Sequence, residues 1–495
     1  LLTLNEEGQR AKRNGSSANP YLAEYERFDR TRTGREPAWL SAVRRAAIAR
    51  FASLGFPTTR QEEWRFTNVS PLADRRFALG LEDAAALLPQ DLDSARLSLR
   101  RIGVPELVFV NGRFAPGLSA AAPLPRGIVV RSLADVIGSD SRPLAGHISQ
   151  GLGTDGVFRS LNTAFLSDGA FIEVAANQVV DRPVHLLFVS TPTQSDVPVA
   201  SYPRVFVSVG ANSQLRVIES YAGGLGPSGS GAGPAGTAGS MAFTNAVTDL
   251  LLGEDSNVDH YRLQREGPQV SHISSVEVRM ARGANLSSQT FTFDGGLVRN
   301  DVRVTLEGEG GDCTLNGLCL AGGTCLVDNH TFIDHARPHC SSRELYKGIL
   351  RDRARGVFSG KILVRPDAQK TDARQTNKTL LLSDNAQIDT KPQLEIFAND
   401  VKCTHGATVG QLSREALFYL QARGIGRDEA EQILIRAFAG DVTDRVGLEP
   451  LRDHVQELLA ETLKNGGGAF GSPGPGDARD EAGASERTFE LEGQA

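Results

Sequence analysis

The chain is predicted to be mainly β, a stack of short strands with a helical segment at either end. Three observations predict it. From about Phe158 to Val409 short apolar runs recur, among them GAFIEVAA, PVHLLFVS, PRVFVSVG, SQLRVIESY, ISSVEVRM, NDVRVTLEG, GVFSGKILV and QLEIFA. Turn residues separate them at roughly 8–12 residues, the spacing of an all-β sandwich, barrel or solenoid. The stretch runs for about 250 residues, large for one sandwich and natural for stacked rungs that bury their apolar sides against one another. No strict repeat is visible, so the solenoid rests on size and spacing.

The elements follow in order. Over residues 20–75, Trp39, Leu40, Val43, Ala46, Ala47 and Phe51 recur at helical spacing. Pro57–Leu72 (PTTRQEEWRFTNVSPL) then mixes charge with aromatics, either to dock Trp64 and Phe66 on a neighbouring core or to form a recognition loop. Val104–Pro116 reads as a hairpin around Asn111-Gly112, and Leu92–Arg100 as a strand or connector. Ala222–Ser240 is Gly, Ser and Pro and is expected to be a surface loop. Ser413 is a candidate N-cap with Glu415 in the first turn, Gly424 ends that helix, and Asp428 caps the next. The boundaries are a helical region at 1–75, a mixed connector at 76–157, a β core at 158–412 and helices at 413–464. The tail, 465–495, has the composition of disorder.

Bulk composition narrows the function. The chain has 495 residues, 40% hydrophobic and 23% charged, as in ordinary globular proteins. A net charge of −6 argues against a dedicated nucleic-acid binder. No apolar run is long enough to cross a bilayer. The opening LLTLNEEGQRAKRNGSS has too short an apolar piece for a secretory signal. Five cysteines in so long a chain are no disulfide framework, and a reducing cytoplasm is the expected compartment.

The strongest candidate chemistry lies in Pro392–Leu412, PQLEIFANDVKCTHGATVGQL. On a strand, Cys403 and His405 share one face, with Thr404 turned away. A thiolate and an imidazole suit iron or zinc, yet two donors do not close a coordination shell. Cys313, Cys319 and Cys325 lack C-x-x-C spacing and are expected in the core. His330, His335, His339 and Cys340 fall in DNHTFIDHARPHCSS, where Pro338 disfavours a helix that would align the histidines; a polar turn and a loop metal site both fit. There is no P-loop, G-x-S-x-G or H-E-x-x-H. Leu417, Phe418, Tyr419, Leu420, Ile433, Leu434, Ile435 and Phe438 stripe the C-terminal helices, as core or as a patch for a partner.

The string DVKCTHGATVGQLSREALFYLQARGI resembles the signature of the SufB/SufD family of the SUF iron–sulfur cluster assembly machinery. Further matches are TTRQEEWRFTNVSPL, LVFVNGRF, DHARPHCSSRELYKGIL, the run from GVFSGKILV to TKPQLEI, and EAEQILIRAFAGDV, together covering roughly residues 20–445. Where the SufB branch carries Glu-His-Glu-Ala-Thr-Thr, this chain has Thr404-His405-Gly406-Ala407-Thr408-Val409, which places the resemblance on the SufD side. The resemblance implies a right-handed parallel β-helix between helical ends. It also implies a non-catalytic scaffold role: pairing with a SufB-like subunit through the β-helix, docking of a SufC-like ABC ATPase through Leu417, Phe418, Tyr419, Ile433, Leu434 and Phe438, and homodimers when alone. His405, with Cys403 beside it, is then expected at the shared site where a transient cluster forms, with reduced flavin linked to the complex. A stand-alone metal or cluster carrier and a carbohydrate-active β-helix enzyme are the alternatives.

Overall fold

The computed structural model describes residues 19–34, 36–80, 87, 92, 104–120, 124, 126–139, 142–151, 156–191, 197–223, 241–465 and 487–489. Most of Leu92–Arg100 and of the loop Ala222–Ser240 therefore lies outside the described residues. The chain divides into two compact units, Leu1–Ala78 with Ile137–Leu166, and Leu79–Val136 with Ser167–Ala495.

The first unit is helical. Asn19 caps Pro20–Arg32 by accepting from Tyr21 N, with Pro20 in the first turn where no amide hydrogen is needed. The helix Ala38–Leu54 buries Leu40, Val43, Ala47 and Phe51, the face its periodicity predicts. Trp64 packs on Phe158 with ring centroids 5.2 Å apart, as expected of Trp64, while Phe66 is half-buried with the Arg65 guanidinium over its ring. The predicted start of the β core needs correcting, because residues Val157–Ala164 are a helix and the next strand begins at Gly169. That helix packs along Ala38–Leu54. Tertiary burial of nearly all its side chains overrides a strand-like local composition.

The second unit is a parallel β-solenoid of two sheets. The first sheet runs from Ile128–Ser132 through Gly169–Val174, Arg204–Val209, Ala242–Leu252, Val270–Met280, Leu297–Leu306, Leu326–His335 and Arg355–Val364 to Gln387–Ile396. The second runs from the hairpin Glu106–Phe114 through Val184–Ser190, Gln214–Gly223, Asn257–Arg265, Asn285–Thr292, Asp312–Ala321, Ser341–Leu350 and Asp372–Leu381 to Lys402–Gly410. Successive strands alternate between sheets, so each rung pairs with the rung before it. The expected hairpin forms, with Asn111 at φ 49° and Gly112 at φ 81° making its tight turn. Part of the predicted connector therefore belongs to the solenoid.

Register explains both the core and the missing repeat. On the first sheet Val278, Val304, Ile333, Ile362 and Leu394 stack in one inward column. Each fully buried aliphatic contributes about 1.5–3 kcal/mol. On the second sheet Leu286, Cys313, Ser342, Ala373 and Cys403 stack in another. A column fixes direction and volume but not residue type, so no repeat survives in the letters. The outer face of the second sheet is apolar too: Tyr261, Leu263, Phe291, Leu318, Leu345 and Ile349 are covered by Ile435, Ala439, Val442, Val455 and Leu459.

Ser413 caps Arg414–Gln421 by accepting from Ala416 N at 3.2 Å. Gly424, at φ 85°, turns the chain after it. Gly426, not Asp428, occupies the cap of Arg427–Thr443; Asp428 and Glu429 stand in the first turn, where the helix dipole favours them. The third helix is Glu449–Asn465. In the tail expected to be disordered, Arg487–Phe489 forms a strand antiparallel to Lys402–Gly410, pairing Val409 with Arg487 and Ala407 with Phe489. An edge strand presents unpaired backbone groups that an extended segment can satisfy. Residues 466–486 and 490–495 lie outside the described residues.

Candidate functional site

Cys403 and His405 sit on Lys402–Gly410, the last strand the second sheet adds to the solenoid. Cys403 is in register with Ala373, and His405 with Gln375. Both point inward, because Ala373 and the half-buried Cys403 pack on the main core. Thr404 is exposed, as its odd position in the pleat requires. Residues two apart on a strand are separated by ~7 Å, so both side chains can reach one small ligand from the same face. Burial pushes the Cys403 thiol above its usual range, with Asp372 adding to the rise. The thiol is therefore protonated at neutral pH until a metal or an incoming cation displaces the proton.

The rung below is polar as well. Glu344, Gln375 and His405 follow one another in a single inward column. Gln375 Nε2 donates to Glu344 Oε2. Burial lifts the Glu344 carboxyl to about 7, with Gln375 and Thr331 holding it partly back. Deeper along the same column lie Ser288 and His260. His260 Nε2 donates to Glu219 Oε1 at 3.0 Å, and its Nδ1 is 3.0 Å from Ser288 Oγ. Burial opposes ionisation of Glu219, but the hydrogen bond and charge of His260 prevail and hold it down at about 2. Glu266 and His272 make a second such pair at 2.6 Å. Sequence reading missed Glu219, His260, Glu344 and Gln375 because each stands in a separate strand and only the stacking of rungs brings them together, whereas Glu266 and His272 meet across the turn between two strands.

The other candidates separate. Cys313, Cys319 and Cys325 are buried in the core with thiols pushed up by desolvation. His335 points into the solenoid, its Nε2 2.9 Å from Ser342 Oγ, and desolvation lowers it to about 4. His330 pairs with Asp328 at 2.9 Å. His339 is exposed in a turn at φ 58°, while Cys340 is buried behind it. Among the described residues no three His, Cys, Asp or Glu come together to hold a metal. On the C-terminal helices Phe418, Tyr419 and Ile433 are exposed, and Leu417 and Leu434 are half-buried. Phe438 instead packs against the core the helices share with the solenoid.

The second unit is thus a parallel β-solenoid with appended helices, carrying a thiol and an imidazole on the last strand of its second sheet. Comparison with known proteins identifies the family. The family model described as "SUF system FeS cluster assembly, SufBD core domain" matches residues 189–438, and the "SufBD protein N-terminal region" matches 15–186. The "Iron-sulfur cluster assembly protein SufD" of Escherichia coli is 30% identical over 412 residues, 83% of this chain and 90% of its own. The "Iron-sulfur cluster assembly SufBD family protein slr0076" of Synechocystis is 33% identical over 429 residues, 86% of this chain and 92% of its own. The SufD of Bacillus subtilis is 22% identical over 444 residues, 87% and 95%. The chain belongs to the SufB/SufD family of the iron–sulfur cluster assembly system. No described helix is long and apolar enough to cross a membrane.

Proposed function

We propose that this chain is the SufD-type scaffold subunit of an ATPase-driven cluster assembly complex, and that Cys403 and His405 form half of a site completed by a SufB-like partner. The observation that carries this reading is their placement: two inward donors on the terminal strand of the solenoid. Iron takes more donors than two, so a second chain must bring the rest. A site divided between chains opens when the chains part, which suits a cluster that is passed on as cargo.

The exposed Phe418 and Tyr419, with Leu417, Ile433 and Leu434 beside them, supply an apolar surface for a SufC-like ATPase. Phe438, expected in the same surface, packs on the core that the helices share with the solenoid. ATP hydrolysis belongs to the partner, reduced flavin is linked to the complex as a whole, and no side chain of this chain is assigned to either.

The test is reconstitution of the three-subunit complex with wild-type or His405→Ala chain, followed by iron and acid-labile sulfide analysis. Cluster yield falls at least tenfold in the variant while the complex still forms. Undiminished assembly in the variant overturns the reading. A durable, stoichiometric cluster on the isolated wild-type chain would favour a stand-alone carrier.

A further inference from the structure

The column that ends at His405 contains three unmatched polar atoms, Glu344 Oε1, Gln375 Oε1 and His405 Nδ1, and the last two are of complementary kind. Gln375 is 1% exposed and Glu344 3%. The Gln375 amide is committed on its nitrogen side, because Nε2 donates to Glu344 Oε2 in the preceding rung. Its Oε1 is buried and takes no hydrogen bond within the chain, and the same is true of His405 Nδ1. These two residues are direct register partners on adjacent parallel strands. The neighbouring inward amide, Asn377, is in register with Ala407 instead and donates to Tyr346 O.

The opposite sheet confines the Gln375 side chain. A Cβ added at Gly360 would sit 2.3 Å from Gln375 Nε2 and 2.8 Å from Phe358 Cζ. Gly360 therefore makes the space that the amide fills. The amide is thus held on its nitrogen side by the Glu344 carboxyl and flanked by Gly360 of the facing strand, while its oxygen is left without a partner. Leaving a buried acceptor and a buried donor unpaired is costly, and pairing them removes both penalties.

We propose that Gln375, anchored by Glu344, is the positioning residue of His405: a small side-chain rotation brings its Oε1, unpaired in the structure, to accept from the equally unpaired Nδ1–H, and thereby leaves Nε2 as the lone-pair donor to iron. This inference rests on the reading of His405 as a cluster-site residue, but its geometry can be tested apart from that reading. An imidazole can ligate only through its unprotonated nitrogen, and the partner of the other nitrogen decides which that is. The column thus carries orientation from the interior of the solenoid to its last rung without contributing a ligand.

The experiment is nitrogen-15 solid-state NMR of the full chain with labelled histidine, at about pH 8, where imidazole is neutral. The His405 signals are assigned by difference against His405→Ala. The wild type is expected to show His405 protonated on Nδ1. Gln375→Met, close in volume but without the amide, is expected to revert it to the Nε2–H form that free imidazole side chains favour. Glu344→Met should do the same, while Glu344→Gln, whose amide oxygen still accepts from Gln375, should keep the Nδ1–H form. Circular dichroism of each variant checks that it is folded, and Gly360→Ala, which displaces the amide without removing it, serves if Gln375→Met does not fold. A wild-type His405 protonated on Nε2, or a tautomer unmoved by Gln375→Met or Gly360→Ala, overturns the proposal. In the reconstituted complex Gln375→Met is expected to slow cluster assembly about tenfold, the usual effect of losing a ligand's hydrogen-bond partner. If His405→Ala leaves assembly intact while the tautomer behaves as stated, the functional reading fails and the hydrogen bond stands. If His405→Ala abolishes assembly and the tautomer does not respond, the reading stands and the inference fails.

Discussion

Lys347 Nζ lies 2.6 Å from the carboxylate of Asp441 and thereby ties the C-terminal helices to the outer face of the solenoid. The same ammonium donates to Phe438 O at 2.6 Å and stands 4.1 Å from the centre of the Phe438 ring. Burial lowers the Lys347 pKa, and the hydrogen bond to Asp441 offsets part of that fall. The Asp441 side chain is 56% exposed, so solvent screens the pair and most of its worth lies in the half-buried carbonyl and ring contacts.

Lys347→Met is accordingly expected to cost about 1–2 kcal/mol. The loss should concentrate in one place. Hydrogen exchange of Arg427–Thr443 should quicken while the inner strands keep their protection. Unchanged exchange in that helix would show that apolar packing alone holds it.

Glu344 gives the chain a pH dependence of unusual sign. Burial raises its folded carboxyl from the ordinary 4.5 to about 7. The native state therefore holds a proton that the unfolded state has released between these values, and this group's contribution to stability falls as pH rises from about 4.5 to about 7. The cost of ionising it in place is on the order of 3 kcal/mol at pH 8. Glu344→Gln should remove that cost, so urea midpoints for wild type and variant should diverge as pH rises from 5 to 8, with the variant the more stable. Parallel pH profiles would count against the assignment.

Cys403 should be the only described thiol open to reagents in the folded chain. Cys313, Cys319, Cys325 and Cys340 are buried, while Cys403 is half-exposed. Its raised pKa makes the reaction slow at neutral pH and faster as pH rises. Mass spectrometry after brief alkylation should find Cys403 modified first, and all five cysteines only in denaturant. Early labelling of Cys340 would contradict the burial seen at its turn.

Phe418 and Tyr419 are 72% and 57% exposed. Charged substitutions there, Phe418→Asp and Tyr419→Asp, should change stability by less than about 0.5 kcal/mol. They should nevertheless weaken capture of the ATPase subunit by tenfold or more in a binding titration. Full affinity in both variants would move the docking surface elsewhere.

Much of the fold was legible in the letters because strand alternation and turn residues are local signals. Val104–Pro116 announced its hairpin through Asn111-Gly112, and Ser413 its helix through a side-chain cap. The helix Val157–Ala164 was not legible, since what makes it a helix is burial along Ala38–Leu54. Nor was the strand Arg487–Phe489, whose pairing depends on an edge more than seventy residues away. Cys403 and His405 stood out because a period of two puts them on one face. The helical stripe left core and partner patch both open for Phe438, the family resemblance put it on the partner side, and packing sets it against the core shared with the solenoid.

The sequence by itself determined a chain of short strands with helical ends, the shared face of Cys403 and His405, and membership in a family of iron–sulfur cluster assembly proteins. Only the tertiary structure decided that Glu344, Gln375 and His405 form one column, that His335 and His339 part company, and which side of the C-terminal helices is left bare. The physical reason is that strand period acts over two residues, whereas a solenoid brings residues together by register across whole rungs. That register is set by the packing of every rung on the last, and no local pattern records it.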